Sequence, residues 1–154
     1  MTGRIDARLK ELGIMLPAPP APVASYVPTV VNGQTVYVSG QIPVEGGALK
    51  YVGIVGADLA VTEGQAAAKL CAINVLAQLK AAVGDLDRVT ACLKLTVFVN
   101  AAPGFTQHPE VANGASDVMV AVFGDAGKHV RSAVGAGSLP RGVATEVEAI
   151  FAFE

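Results

Sequence analysis

One arginine, Arg131, lies in an otherwise small and mostly apolar stretch, His129-Val130-Arg131-Ser132-Ala133-Val134. A Leu139-Pro140 corner follows, then two carboxylates at alternate positions, Glu146-Val147-Glu148. Only 16% of residues are charged, so a guanidinium among apolar neighbours calls for a partner. Burying it unpaired is costly, and a carboxylate is its natural counter-ion. That carboxylate either belongs to this chain, Glu146 for instance, or arrives on a small-molecule substrate. In the second case the planar guanidinium makes two parallel charge-assisted bonds to the carboxylate and fixes the neighbouring carbon. A glutamate such as Glu146 can then accept a proton from a water and return one to a leaving nitrogen.

Other chemistries find little support. His108 and His129 lack the spacing of metal ligands on a helix, and no phosphate-binding glycine loop occurs, so neither a metal nor an organic cofactor is expected. His129 and Ser132 are expected on the strand face opposite Arg131, and no Ser–His–Asp spacing suggests a hydrolase triad. Cys71 and Cys92 form no CxxC pair and read as buried free thiols in a reducing compartment, the cytoplasm. The first ten residues are polar with no secretory apolar stretch, and no apolar run approaches the ~20 residues of a membrane span. The net charge is −2 and the eleven Lys and Arg are scattered, which argues against nucleic-acid binding. A 52% hydrophobic content and a mean hydropathy of +0.50 exceed what one small core hides, so the apolar excess is expected to meet other copies of the chain.

The elements that must position these residues follow from periodicity. The 154 residues suit one domain, 1–154, in which 1–25 supply an N-terminal helix and a proline-rich linker. Ile5, Leu9 and Leu12 predict a helix over Arg4–Gly13, and four prolines between Pro17 and Pro22 predict an extended connector. Val27–Val31 and Gln34–Ser39 read as a hairpin turning at Asn32-Gly33, with a bulge at Ser39-Gly40-Gln41 and a loop over Pro43–Gly47. Thr62–Val83 reads as a helix with a Thr62/Gln65 capping box and a Gly84 stop. Arg88–Val99 alternates as a long strand, with Val89, Ala91, Leu93, Leu95 and Val97 on its buried face. Pro109 opens a second helix ending at about Phe123, and Val130–Ala136 and Val143–Phe153 close the chain as strands. On the last strand Thr145, Val147, Ala149, Phe151 and Phe153 face the core, whereas Glu146 and Glu148 face away. The order implies an α+β fold, a mixed sheet with two main helices packed on one face.

Tyr26, Val36-Tyr37-Val38-Ser39-Gly40-Gln41-Ile42-Pro43, Thr96-Val97-Phe98-Val99, Asn113, Arg131-Ser132-x-Val134, Leu139-Pro140 and Glu146-Val147-Glu148 together resemble the Rid family, also called YjgF or endoribonuclease L-PSP. The resemblance covers about Tyr26 to Glu154. The N-terminal helix with its linker, and the segment Asn113 to Asp117, resemble a longer subfamily. The resemblance implies a chorismate-mutase-like fold and a homotrimer with sites at the subunit interfaces. It also implies cofactor-free hydrolysis of reactive enamines and imines, such as 2-aminoacrylate or 2-iminobutyrate, to 2-keto acids and ammonia. By the same resemblance Arg131 holds the substrate carboxylate, Glu146 positions or activates water, and Tyr26, Ser39, Gly40 and Asn113 line the pocket. Ala133 stands where the deaminase branch often has cysteine and would contribute backbone, and Gly114–Val122 replaces an aromatic-rich helix in the pocket wall. Two other readings compete: a non-catalytic binder of small carboxylates, and an endoribonuclease or translation inhibitor. A chorismate-mutase-like isomerase would need an arginine-rich site for a dicarboxylate, which the sequence does not display.

Overall fold

The computed structural model describes residues 3–19 and 25–154. The first helix, α1 (Arg4–Glu11), buries Ile5 and Leu9, with Leu12 packed at the core's edge, and Gly13 follows at φ 69°. The proline-rich connector has no regular structure as far as Pro19; its continuation over 20–24 lies outside the described residues.

The hairpin forms from β1 (Thr29–Asn32) and β2 (Thr35–Gln41). Asn32 pairs with Thr35, so the two loop residues are Gly33 and Gln34, one position later than the sequence suggests. Of the two only Gly33 has positive φ, at 62°, which places glycine where a type II′ turn needs it. The expected bulge is present, as a register shift between Val38 and Gln41 against the last strand. The segment expected as loop holds part of a two-stranded ribbon, β3 (Val44–Glu45) and β4 (Ala48–Leu49).

Helix α2 (Val61–Val83) buries Cys71, Ala72, Val75, Leu76, Leu79 and Val83, and Gly84 ends it at φ 86°. Its start corrects the expected capping box. Ala60 is the N-cap, and Glu63 Oε1 accepts the Ala60 N–H at 3.1 Å, which is half of such a box. With 23 residues α2 is long and apolar enough, by length and composition alone, to cross a membrane, contrary to the expectation. Its packing against the sheet and a second helix accounts for that composition.

Strand β5 (Val89–Asn100) departs from strict alternation. Register irregularities between Val89 and Ala91 and between Cys92 and Lys94 shift the phase, so Cys92 is buried while Leu93 is 41% exposed. From Leu95 onward, Leu95, Val97 and Val99 alternate into the core. Helix α3 (His108–Phe123) has Pro109 in its first turn and Gly124 at its end. Strands β6 (Val130–Ala136) and β7 (Thr145–Phe153) are joined through a 3-10 turn at Pro140–Gly142.

The five long strands run β1-β2-β7-β5-β6, antiparallel except for β5 with β6, which α3 connects. This is the expected mixed α+β architecture, with α2 and α3 on one face. Gly114 lets the helices meet closely: a Cβ there would run into the carbonyl oxygen of Gln65. Helix and sheet bury Thr145, Val147, Ala149 and Phe151 of β7, while Glu146 is half-buried and Glu148 exposed, as the alternation requires. On the opposite face Tyr37, Leu93, Val130 and Val134 stay exposed, Val130 at 68%.

Candidate functional site

Arg131 lies on the edge strand β6, in register with the buried Leu95, so its side chain points to the helix face. There it meets α3. Its Nη1 donates to Asn113 Oδ1 at 2.8 Å and to Ser116 Oγ at 3.1 Å. Asn113 and Ser116 are three residues apart and therefore share one side of the helix. Ser116 also meets His129 Nε2 at 2.9 Å, and His129 Nδ1 lies 2.6 Å from the Gly127 carbonyl. The expectation that His129 points away from Arg131 is corrected: residues two apart on an extended chain share a face, and both converge on one hydroxyl. Ser132 does face the other way and is exposed.

Neither Glu146 nor Glu148 pairs with Arg131. The ion pairs among the described residues are Arg8–Glu11, Lys80–Asp6 and Lys128–Asp125. Both of Arg131's partners are neutral, so its charge is held in place without being cancelled.

Glu146 belongs to a second group. Gly40, in the β2 bulge, lies so close to the Glu146 carboxylate that a Cβ at Gly40 would collide with it. Partial burial raises the Glu146 pKa above the ordinary carboxylate value, and the Glu148 charge adds to the rise. Ser39 and Glu148, with Tyr37, Lys94 and Thr96, line a trough of about 290 Å3 on the open sheet face. Tyr26, just ahead of β1, is 63% exposed. Ala133, two residues after Arg131, packs at the edge of the core on the helix side.

The expected site residues thus fall into two sets. Arg131, Asn113 and Ala133 cluster on the helix side of β6. Gly40 and Glu146 meet where β2 borders β7, and Ser39 is next to Gly40. Leu95 pairs with both Arg131 and Ala149, and Glu146 pairs with Phe98, three residues along β5. Two strand spacings across and three residues along put the Cα atoms of Arg131 and Glu146 roughly 14 Å apart, with side chains on opposite faces.

Ser116 is absent from the sequence-derived site. Its signal was available, since i,i+3 spacing from Asn113 places it on the same helix face. Cys71 and Cys92 are free and buried, and burial pushes both thiols up to about 12. They belong to the core; the Cys71 sulfur lies 3.3 Å from Thr145 Oγ1.

A family model described as "YjgF/chorismate_mutase-like, putative endoribonuclease" matches residues 6–149. Protein TCP17 of Trypanosoma cruzi is 52% identical over 152 residues, covering 97% of this chain and 94% of its own length. A crystal structure of a protein of unknown function from Agrobacterium tumefaciens is similar at 45% identity and a TM-score of 0.92, over 97% of this chain and 92% of that one. TdcF of E. coli, solved with bound serine, is similar at 27% identity and a TM-score of 0.64, over 89% of this chain and 94% of that one.

Proposed function

The chain belongs to the YjgF/chorismate-mutase-like family, and from that membership we propose that it hydrolyses small reactive enamines and imines, of the 2-aminoacrylate or 2-iminobutyrate type, to 2-keto acids and ammonia. The observation that carries this reading is the state of Arg131. Two neutral acceptors engage its Nη1, and no carboxylate of the described residues neutralises it. A guanidinium held this way suits a ligand that brings its own carboxylate. The serine bound to TdcF is a small 2-amino acid, and an imine of the proposed class differs from such a molecule mainly at C2.

The chemistry asks little of the protein. The enamine tautomerises to an imine, whose C2 is electrophilic, more so when the nitrogen is protonated. Water adds to C2, giving a carbinolamine; the C–N bond then breaks, leaving the 2-keto acid and ammonia. Orienting one water beside a carbon fixed by its carboxylate supplies much of the rate. Glu146, with its pKa raised by burial, suits accepting the water proton and returning it to the departing nitrogen.

Arg131 and Glu146 are too far apart within one chain to act on one small molecule. We therefore place the site between copies of a homotrimer, with Arg131, Asn113 and Ala133 from one copy facing Tyr26, Ser39, Gly40 and Glu146 of the next. The exposed apolar residues of the open sheet face support such an assembly. Free, buried thiols accord with a cytoplasmic setting.

The test generates 2-iminobutyrate in the cuvette and follows 2-oxobutyrate release. The wild-type protein is expected to exceed the spontaneous rate, and Arg131→Ala to fall back to it while remaining folded. A folded wild-type protein that leaves the spontaneous rate unchanged contradicts the reading. The family's endoribonuclease description gives a second reading, opposed by a net charge of −2, and salt-dependent RNA binding would favour it.

A further inference from the structure

We propose that Ser116 and His129 form a hydrogen-bond relay that aims the Arg131 guanidinium, turning one defined edge of it toward the substrate carboxylate. The proposal rests on the carboxylate-binding role of Arg131.

The direction of each hydrogen bond follows from what the atoms can do. A carbonyl oxygen only accepts, so at 2.6 Å from Gly127 O the His129 Nδ1 carries the hydrogen. In the proposed relay that is the ring's one hydrogen, and Nε2 is the acceptor. The Ser116 hydroxyl therefore donates to Nε2 at 2.9 Å and turns its lone pairs elsewhere. One of those lone pairs accepts from Arg131 Nη1 at 3.1 Å. Without the histidine, the hydroxyl could rotate its own hydrogen toward the cation, and the contact would weaken. Both ends of the relay are fixed to α3. Ser116 and Asn113 lie on it, and Gly127 packs so closely against it that a Cβ would strike the Met119 carbonyl oxygen.

The consequence lies in the donors that remain. Nη1 has two hydrogens, and Asn113 Oδ1 and Ser116 Oγ take one each. Nε and Nη2 have no partner among the described residues. Their hydrogens lie side by side on the long edge of the guanidinium, the pair that fits the two oxygens of one carboxylate. Ser116 and His129 act through Arg131, so they are positioning residues. Ser116 is not offered as a nucleophile: its oxygen accepts a hydrogen bond from the Arg131 cation, which draws on the lone pairs an attack would need.

Steady-state kinetics on 2-iminobutyrate and calorimetric binding of 2-oxobutyrate test the relay in Ser116→Ala, His129→Ala and His129→Gln. The first two should raise KM and the keto-acid Kd about tenfold and keep kcat within about twofold of wild type, as expected when an interaction common to ground and transition states is lost. His129→Gln keeps an acceptor near the Nε2 position and should recover most of the affinity. Unchanged KM and Kd in folded Ser116→Ala overturn the relay. So does a fall in kcat at constant KM, which would assign Ser116 to the chemistry, and so does a glutamine variant as impaired as the alanine one. Should His129→Ala not fold, nitrogen NMR of the wild-type ring decides the histidine's part: hydrogen on Nδ1 is expected, and hydrogen on Nε2 refutes it. Arg131→Ala separates the levels. If it binds 2-oxobutyrate normally, the carboxylate reading itself fails, whatever Ser116 does.

Discussion

Glu146 is the residue proposed for the chemical step, and its environment gives the sign of two pH effects. Burial raises its pKa and the Glu148 charge raises it further, so the folded protein holds the proton more tightly than the unfolded chain does. As pH rises from the ordinary carboxylate pKa to the raised one, the unfolded chain gives up this proton first, and the contribution of Glu146 to stability falls. Glu146→Gln should therefore melt at the wild-type temperature or above it at neutral pH, while turnover drops about a hundredfold or more. In the wild type, kcat/KM should fall on the acid side with a midpoint above the ordinary carboxylate value. Glu148→Gln should move that midpoint downward and otherwise resemble wild type. A variant Glu146→Gln that melts lower and turns over normally would make this residue structural. Gly40 gives a backbone route to the same group. Because a Cβ there would displace the flexible end of Glu146, Gly40→Ala should lower kcat with little change in Tm; unchanged kcat would show that the carboxylate's position does not matter.

At the scale of the elements, α1 is tied down by a residue remote in sequence. Asp87 accepts the N–H groups of Arg4 (2.9 Å) and Ile5 (2.7 Å), two of the donors a first helical turn leaves unpaired. Those bonds, Ile5's first, lower the Asp87 pKa. A lowered folded-state pKa means that the stabilisation is present above the unfolded value and is lost as pH falls through the folded one. Hydrogen exchange should show α1 amides protected at neutral pH, less so in acid, and less so at any pH in Asp87→Ala. Identical protection in the variant would remove the cap from the account. The cap is also an instance of what sequence periodicity misses. Periodicity found α1, α2 and the two faces of β7, because each depends on apolar spacing within a single element. It missed the phase shift in β5, where no glycine marks the irregularities as Gly40 marks the one in β2, and the N-cap of α2, since Ala60 offers no capping side chain. Neither half of the site follows from the spacing within one element. Gly40 beside Glu146 depends on the pairing of β2 with β7, and the two were expected in one site through the family resemblance alone. The Ser116–His129–Arg131 convergence needs two local rules applied together, i,i+3 on a helix and i,i+2 on a strand.

At the scale of the whole molecule, the proposed chemistry requires more than one copy of the chain. The helix-side set around Arg131 and the bulge-side set around Glu146 lie on opposite faces of one sheet, with exposed apolar residues such as Tyr37 and Val130 beside them. A trimer should elute with a light-scattering mass about three times the 15.6 kDa of the chain. The most direct test of a shared site mixes two variants, each lacking one half: Arg131→Ala and Glu146→Gln, unfolded together in equal amounts and refolded. If each site takes its arginine from one copy and its glutamate from the next, random assembly leaves roughly a quarter of the sites with both halves intact. Keto-acid release should then return to roughly a quarter of the wild-type rate from two nearly inactive parents. If the mixture, shown by mass to contain hybrid trimers, is no more active than its parents, the arginine and the glutamate do not serve one site across an interface, and the central claim fails.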